Sequence, residues 1–228
     1  MPELIAALDV PGLAEEEDAL KRLKGAVRLV KVGLQLYTAA GPRAVAAARE
    51  AGFEVFLDLK LHDIPQTVAL AVAEAARLGA FSLSLHLSGG SAMVRAAAAV
   101  QPRPKLWGVT ILTSMADADL GEAFPGQRPA DAVPRLAKLG LAAGADAVIC
   151  SSADAAGVRA AAGNGVCLVT PGIRPAGSPA GDQKRVATPA EAARLGIDYI
   201  VVGRPILKAP NPRAAAEAIL SEMKEARA

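Results

Sequence analysis

Glu54-Val55-Phe56-Leu57-Asp58-Leu59-Lys60-Leu61-His62-Asp63-Ile64-Pro65 starts as an apolar run and turns ionic toward its C-terminal end. Side chains alternate along a strand, so Leu57, Leu59 and Leu61 point one way, and Asp58 and Lys60 the other. Two opposite charges on the inner face of a buried strand are costly unless they pair or take part in chemistry. Asp63 and Pro65 mark the turn that follows. Taken alone, an Asp-x-Lys at a strand end reads more readily as a structural ion pair than as a reaction centre. The rest of the chain shifts that balance.

Working outward, a short β-rich run followed by an Ala-rich helical stretch recurs along the whole sequence. Strands are expected at 4–10, 29–33, 54–60, 82–87, 105–112, 147–151, 166–170 and 199–203, with helical stretches such as 42–51, 67–78, 91–100, 131–143, 189–195 and 212–226 between them. Gly52, Gly79, Gly144 and Gly196 each close a helix before the next strand. Pro42, Pro189 and Pro212 stand where helices start, the position at which a missing N–H costs nothing. Eight alternations with continuously apolar strands imply parallel pairing with both faces covered. At 228 residues a closed (β/α)8 TIM barrel fits best, as a single domain over 1–228. A doubly wound open sheet is the alternative. It is disfavoured because no GxGxxG follows the first strand and the βα units never break in the middle.

Composition narrows the function classes. Aromatics are 3% of residues against 52% hydrophobic overall, which points to a core of Ala, Val, Leu and Ile. A formal charge of +2, with no Lys/Arg cluster interleaved with aromatics, argues for neither nucleic acid nor an anionic membrane. Met1-Pro2-Glu3-Leu4-Ile5 has no basic region ahead of an apolar stretch, so no signal peptide is expected. No apolar run reaches the ~18 residues of a membrane span. Cys150 and Cys167, without CxxC spacing, read as reduced, buried small hydrophobes on neighbouring strands, with a cytoplasmic location as the default.

In a barrel of this kind the site lies at the C-terminal ends of the strands. The first strand ends Ala7-Leu8-Asp9, the second Val30-Lys31-Val32-Gly33, the third Asp58-Leu59-Lys60. Each places charge among apolar neighbours at the same end of consecutive strands, so Asp9, Lys31, Asp58 and Lys60 are expected to converge in an alternating network. In it Lys60 is flanked by two carboxylates, which favour its charged form. After the seventh strand comes Thr170-Pro171-Gly172-Ile173-Arg174, and after the eighth Val202-Gly203-Arg204-Pro205. Those two loops are the usual phosphate site of the fold. Gly172 and Gly203 allow close backbone approach, and Arg174 or Arg204 can grip a phosphate with two hydrogen bonds. The connection from Arg174 to Thr188 is long for a βα loop, and Gln183 is its polar side chain best suited to close over a phosphate.

Together these segments resemble the orotidine 5′-phosphate decarboxylase family, in its compact bacterial form, over essentially the full length. The resemblance also takes in His86-Leu87-Ser88-Gly89-Gly90 and Leu112-Thr113-Ser114-Met115, but its most specific segment is 56–67, containing Asp58-Leu59-Lys60-Leu61-His62-Asp63-Ile64-Pro65-Gln66-Thr67. It implies cofactor-free decarboxylation of orotidine 5′-monophosphate to uridine 5′-monophosphate in pyrimidine biosynthesis. By the same resemblance, Asp9 would bind the ribose hydroxyls and Lys31 would bridge the ribose and Asp58. Asp58 would lie beside the substrate carboxylate, with Lys60 as proton donor to C6. Thr113 would contact the pyrimidine, and Arg174, Gln183, Gly203 and Arg204 would hold the phosphate end. Asp63, Ile64 and Thr67 would reach the neighbouring subunit's site across a homodimer interface. His62 and His86 fit the family pattern with no catalytic role, as packing or hydrogen-bonding residues.

Three rivals differ in what they require. A hexulose-phosphate synthase-like enzyme shares an Asp-x-Lys-x-x-Asp strand but uses Mg²⁺, and would call for a further acidic ligand among the strand ends that the sequence does not offer. A Schiff-base aldolase needs a free amine at Lys60, whereas flanking carboxylates favour the ammonium. A non-catalytic nucleotide-binding protein would lack a member of the Lys/Asp network, and all are present.

Overall fold

Strands that are apolar on both faces have to be buried on both, and a closed barrel wrapped in helices achieves this without leaving an edge. In the computed structural model, which describes residues 1–175 and 185–226, the strands close in sequence order, each parallel to its neighbours. They are β1 (Glu3–Ala7), β2 (Leu29–Gly33), β3 (Glu54–Leu61) and β4 (Ser82–His86), then β5 (Lys105–Val109), β6 (Ala147–Ile149), β7 (Leu168–Thr170) and β8 (Tyr199–Val202). This is the (β/α)8 TIM barrel expected from the sequence.

Alternation sorts the core into two layers. Ile5, Leu29, Phe56, Trp107, Val109, Val169 and Val201 fill the barrel interior. Leu4, Ala6, Val30, Leu57, Leu83 and Leu106 pack outward against the helices. Only one large aromatic cluster is needed inside, where Trp107 lies 4.5 Å from the Phe56 ring and 5.0 Å from Tyr199. Helix starts follow their caps. Thr188 accepts from the Glu191 N–H while Glu191 accepts from the Thr188 N–H, and Asn211 Oδ1 accepts from the Ala214 N–H.

Boundaries differ from expectation mostly at the rim that carries the site. β1 stops at Ala7 rather than at residue 10, and β5 at Val109 rather than 112, because a ladder lasts only as long as its neighbour. β6 ends at Ile149, and after Cys150 and Ser151 the chain turns into the 3₁₀ turn Ser152–Asp154. Helices Pro65–Arg77 and Pro129–Ala142 begin two residues earlier than read, each with Pro in its first turn. Leu13–Leu23, Leu34–Ala40, Asp117–Ala123 and Ala155–Ala162 are further helices, the middle two short insertions at the rim. Cys150 is buried just after β6, while Cys167, just before β7, is only partly buried. Burial pushes the thiols up, to about 12 and about 11. Among the described residues no helix is long and apolar enough to cross a membrane.

Candidate active site

Register sets the site. Lys31 on β2 stands opposite Phe56 on β3, and Gly33 opposite Asp58. Asp9 lies two residues beyond β1 and is half exposed, whereas Lys31 and Asp58 are buried, at 9% and 8% exposure. Lys31 Nζ donates to Asp9 Oδ1 at 2.9 Å and lies 3.7 Å from Asp58 Oδ2. Lys60 Nζ donates to both Asp58 oxygens at 2.8 Å. Asp9, Lys31, Asp58 and Lys60 thus form one row of alternating charge along three strand ends. Where the sequence suggested two carboxylates around Lys60, this chain supplies both oxygens of one. Asp9 pairs with Lys31 instead.

Burial alone would raise the Asp58 carboxyl. Lys31, Lys60 and the hydrogen bonds from Lys60 and Ser84 outweigh it and hold the group below the ordinary carboxylate range. A lone carboxylate here would cost several kcal/mol in lost hydration; the two ammonium groups offset that. Ser84, on β4, both donates to Asp58 Oδ1 at 2.8 Å and accepts from the Lys60 backbone N–H at 2.9 Å. The latter contact accompanies a register shift between Leu57 and Leu61 and a positive φ of 51° at Lys60. That left-handed residue carries the Lys60 side chain back over Asp58 instead of along the regular pleat.

Two adjoining cavities meet at this row, sharing Lys31, Pro171 and Val201. The first, about 200 Å³, has Asp58 and Lys60 on one side and Val109, Ile111, Thr113 and Ile149 among its walls. The second, about 530 Å³ and more open, holds Asp9, Gln35, Arg174, Gly203, Arg204 and Lys208. One end is therefore narrow and largely apolar, the other wide and cationic. Gly203 belongs here for space: a Cβ on it would stand 3.2 Å from Asp9 Oδ2. Asp63, Ile64 and Thr67 are exposed and line neither cavity; the Asp63 carboxylate accepts from the Ile64 N–H at 2.7 Å. Gln183 lies outside the described residues.

The chain as a whole matches a known family. The family model described as orotidine 5′-phosphate decarboxylase / HUMPS matches residues 2–219. The chain belongs to that family. A relative from Opitutus terrae, named orotidine 5′-phosphate decarboxylase, is 50% identical over 226 residues, covering 97% of this chain and 98% of its own. Another of that name, from Anaeromyxobacter sp. (strain K), is 51% identical over 217 residues, 95% and 96% of the two chains. Among solved structures, the orotidine 5′-phosphate decarboxylase from Lactobacillus acidophilus has a TM-score of 0.85 at 37% identity, covering 98% of this chain and 99% of that one. The enzyme of that name from Pyrococcus horikoshii OT3 has a TM-score of 0.78 at 26% identity, with 97% and 99% covered.

Within this family member, Ser84 and Gly33 are among the site residues that escaped the sequence reading, as are Gln35 and Lys208 of the wider cavity. Ser84 sits in an ordinary-looking Ser-Leu-Ser-Leu alternation, and Gly33 reads simply as a strand end. A Cβ on Gly33 would come within 2.6 Å of Lys31 Nζ and 3.4 Å of Asp9 Oδ1, so any side chain there would push the Lys31 ammonium out of its present position beside Asp9. His62 and His86 face each other at 5.3 Å between ring centroids, next to the row. Burial, then His62 and Lys60, hold His86 below the usual imidazole value. Among the described residues no three His, Cys, Asp or Glu side chains are grouped to hold a metal ion.

Proposed function

We propose that this protein converts orotidine 5′-monophosphate to uridine 5′-monophosphate and CO2 without a cofactor, with Lys60 delivering the proton to C6. The observation that carries the proposal is the Asp9–Lys31–Asp58–Lys60 row at the mouth of a narrow apolar cavity, beside a wider cationic one. A pyrimidine fits the first cavity and a phosphate the second, with the ribose between them against Asp9 and Lys31.

The chemistry demands this kind of site. Breaking the bond from C6 to the carboxyl carbon leaves the electron pair on C6 as a vinyl carbanion, which the ring does not delocalise. A positioned ammonium at Lys60 stabilises that charge as it develops, and its proton completes the product; water then reprotonates the amine. In this reading Asp58 lies beside the substrate carboxylate, so a like-charge contact is relieved as CO2 leaves. Thr113 lines the base end, and Arg174, Gly203 and Arg204 line the phosphate end; Gln183 is proposed as a further phosphate ligand on the family resemblance alone. Binding energy from the phosphate, remote from C6, lowers the barrier by holding the charged row and the base in register.

In this proposal the enzyme works as a cytoplasmic homodimer of one barrel per chain. Asp63, Ile64 and Thr67 of one subunit complete the site of the other, bringing Lys60 its second carboxylate. Exposed apolar side chains on that side support an interface: Ile64 is 66% exposed, Leu70 60% and Leu34 56%.

Orotidine 5′-monophosphate followed by ultraviolet absorbance, with purified protein in EDTA, tests the assignment. Sustained turnover is expected. Activity that vanishes on chelation and returns with Mg²⁺ would move the chain to the synthase-like branch of chemistry.

A further inference from the structure

Outside the charged row, the rim holds a partly buried ion pair that the proposed chemistry does not use. Asp154 ends the 3₁₀ turn Ser152–Asp154 that follows β6, and Arg185 stands where the described chain resumes before helix Pro189–Arg194. Arg185 Nη1 donates to Asp154 Oδ2 at 2.6 Å, with the two side chains only 16% and 8% exposed. Arg185 Nη2 donates to the Leu112 carbonyl at 3.2 Å. That carbonyl also accepts from the Met115 N–H at 3.0 Å, closing the turn that presents Thr113 and Ser114 to the Lys60 cavity. The other end of the connection is tied as well, by the Ile173–Ala187 bridge and the Arg174 N–H donated to the Ala187 carbonyl at 2.9 Å.

One guanidinium therefore joins the ends of three barrel units: the turn after β5, the turn after β6 and the chain leading into β8. Neither Arg185 nor Asp154 lines either cavity. A fork that is planar and multiply bonded transmits position in a way a single-point cation does not. We propose that Arg185 is a positioning residue for the base end of the site: pinned by Asp154, it holds the Leu112 carbonyl and so sets the 112–114 wall against which the pyrimidine packs. The inference rests on the proposed decarboxylase function for the identity of that ligand.

The test compares a ligand that has a base with one that lacks it. Uridine 5′-monophosphate and ribose 5-phosphate are titrated calorimetrically into the purified full chain and its Arg185→Ala, Arg185→Lys and Asp154→Asn variants. Arg185→Ala should weaken uridine 5′-monophosphate about 10- to 100-fold, the cost of a small misplacement, while ribose 5-phosphate binds as before. Arg185→Lys keeps the charge beside Asp154 but does not span to Leu112. It should recover the melting temperature and not the nucleotide affinity. Asp154→Asn should show the same base-selective loss, smaller in size, and keeps the comparison available if Arg185→Ala does not fold. Equal losses on both ligands, unchanged nucleotide affinity, or full recovery by lysine would each overturn the proposal, leaving the pair as a stability tie. Absent turnover of orotidine 5′-monophosphate by the unaltered protein would instead refute the decarboxylase assignment, since the binding comparison does not depend on catalysis.

Discussion

Lys60 combines two properties that a neutral strand residue would not keep. Its backbone lies at φ 51°, a region that costs an L-residue about 1–2 kcal/mol. Its neighbours hold it there, Ser84 by accepting its N–H and Asp58 by accepting its ammonium. Removing the side chain removes the second of these and leaves the strain. Lys60→Gly should therefore be more stable than Lys60→Ala by about 1 kcal/mol, a few degrees in melting temperature. Calorimetry that ranks alanine equal to or above glycine would mean that the left-handed backbone carries no strain. The charged members of the row were legible from the sequence because strand phase decides which way a charge points, and Asp58, Lys60 and Lys31 fall on the inner phase. Ser84 was not, since which of two alternating serines meets Asp58 depends on the register of β3 against β4. Gly33 was not either. Its purpose is the space that Lys31 and Asp9 occupy, and that is known only once the strands are side by side.

Most of the helices follow their sequence signals, and Leu13–Leu23 shows what such signals leave out. Its inward face is Glu16, Ala19, Leu20 and Leu23, so a carboxyl lies in the apolar stripe. Glu16 is fully buried, and neither carboxyl oxygen has a hydrogen-bond partner. Burial, with a smaller push from Glu17, raises its pKa from 4.5 to about 7. A carboxyl raised in the folded state holds its proton after the unfolded chain has lost it, so stability falls as pH climbs from about 4.5 to about 7 and levels off above. Glu16→Gln should remove that slope. Its unfolding free energy should match that of the unaltered protein near pH 4.5 and exceed it at pH 8, by up to about 3 kcal/mol. A constant difference across that range would show that Glu16 titrates in the fold as it does in the unfolded chain. Charge clusters in Leu-Ala-Glu-Glu-Glu-Asp suggest a solvated helix start, and only the packing of the helix shows which carboxylate is turned inward. Strand ends are ambiguous for a related reason: Val10 and Leu112 are as apolar as true strand residues, but their neighbours across the ladder have already ended.

For the molecule as a whole, eight apolar strands with helices between them leave the barrel as the natural closure, which is why the architecture was readable without a structure. The proposed homodimer is a separate matter, because Asp63 is exposed in one chain and, in that proposal, serves the site of a second. Lys60→Ala and Asp63→Ala homodimers should each be severely impaired. Mixed by co-refolding, half the dimers are mixed and each has one intact site, so activity should recover to roughly a quarter of the unaltered level. No recovery, with mixed dimers confirmed, would place Asp63 in its own chain's site. The charged row itself is tested by Lys60→Ala alone, assayed for turnover of orotidine 5′-monophosphate and for affinity toward uridine 5′-monophosphate in the same preparation. Because the role proposed for Lys60 is to act on charge that exists only in the transition state, turnover should fall by at least about 10³-fold while the product still binds within about tenfold. Turnover close to that of the unaltered protein would contradict Lys60 as the proton donor, and the function of the row with it.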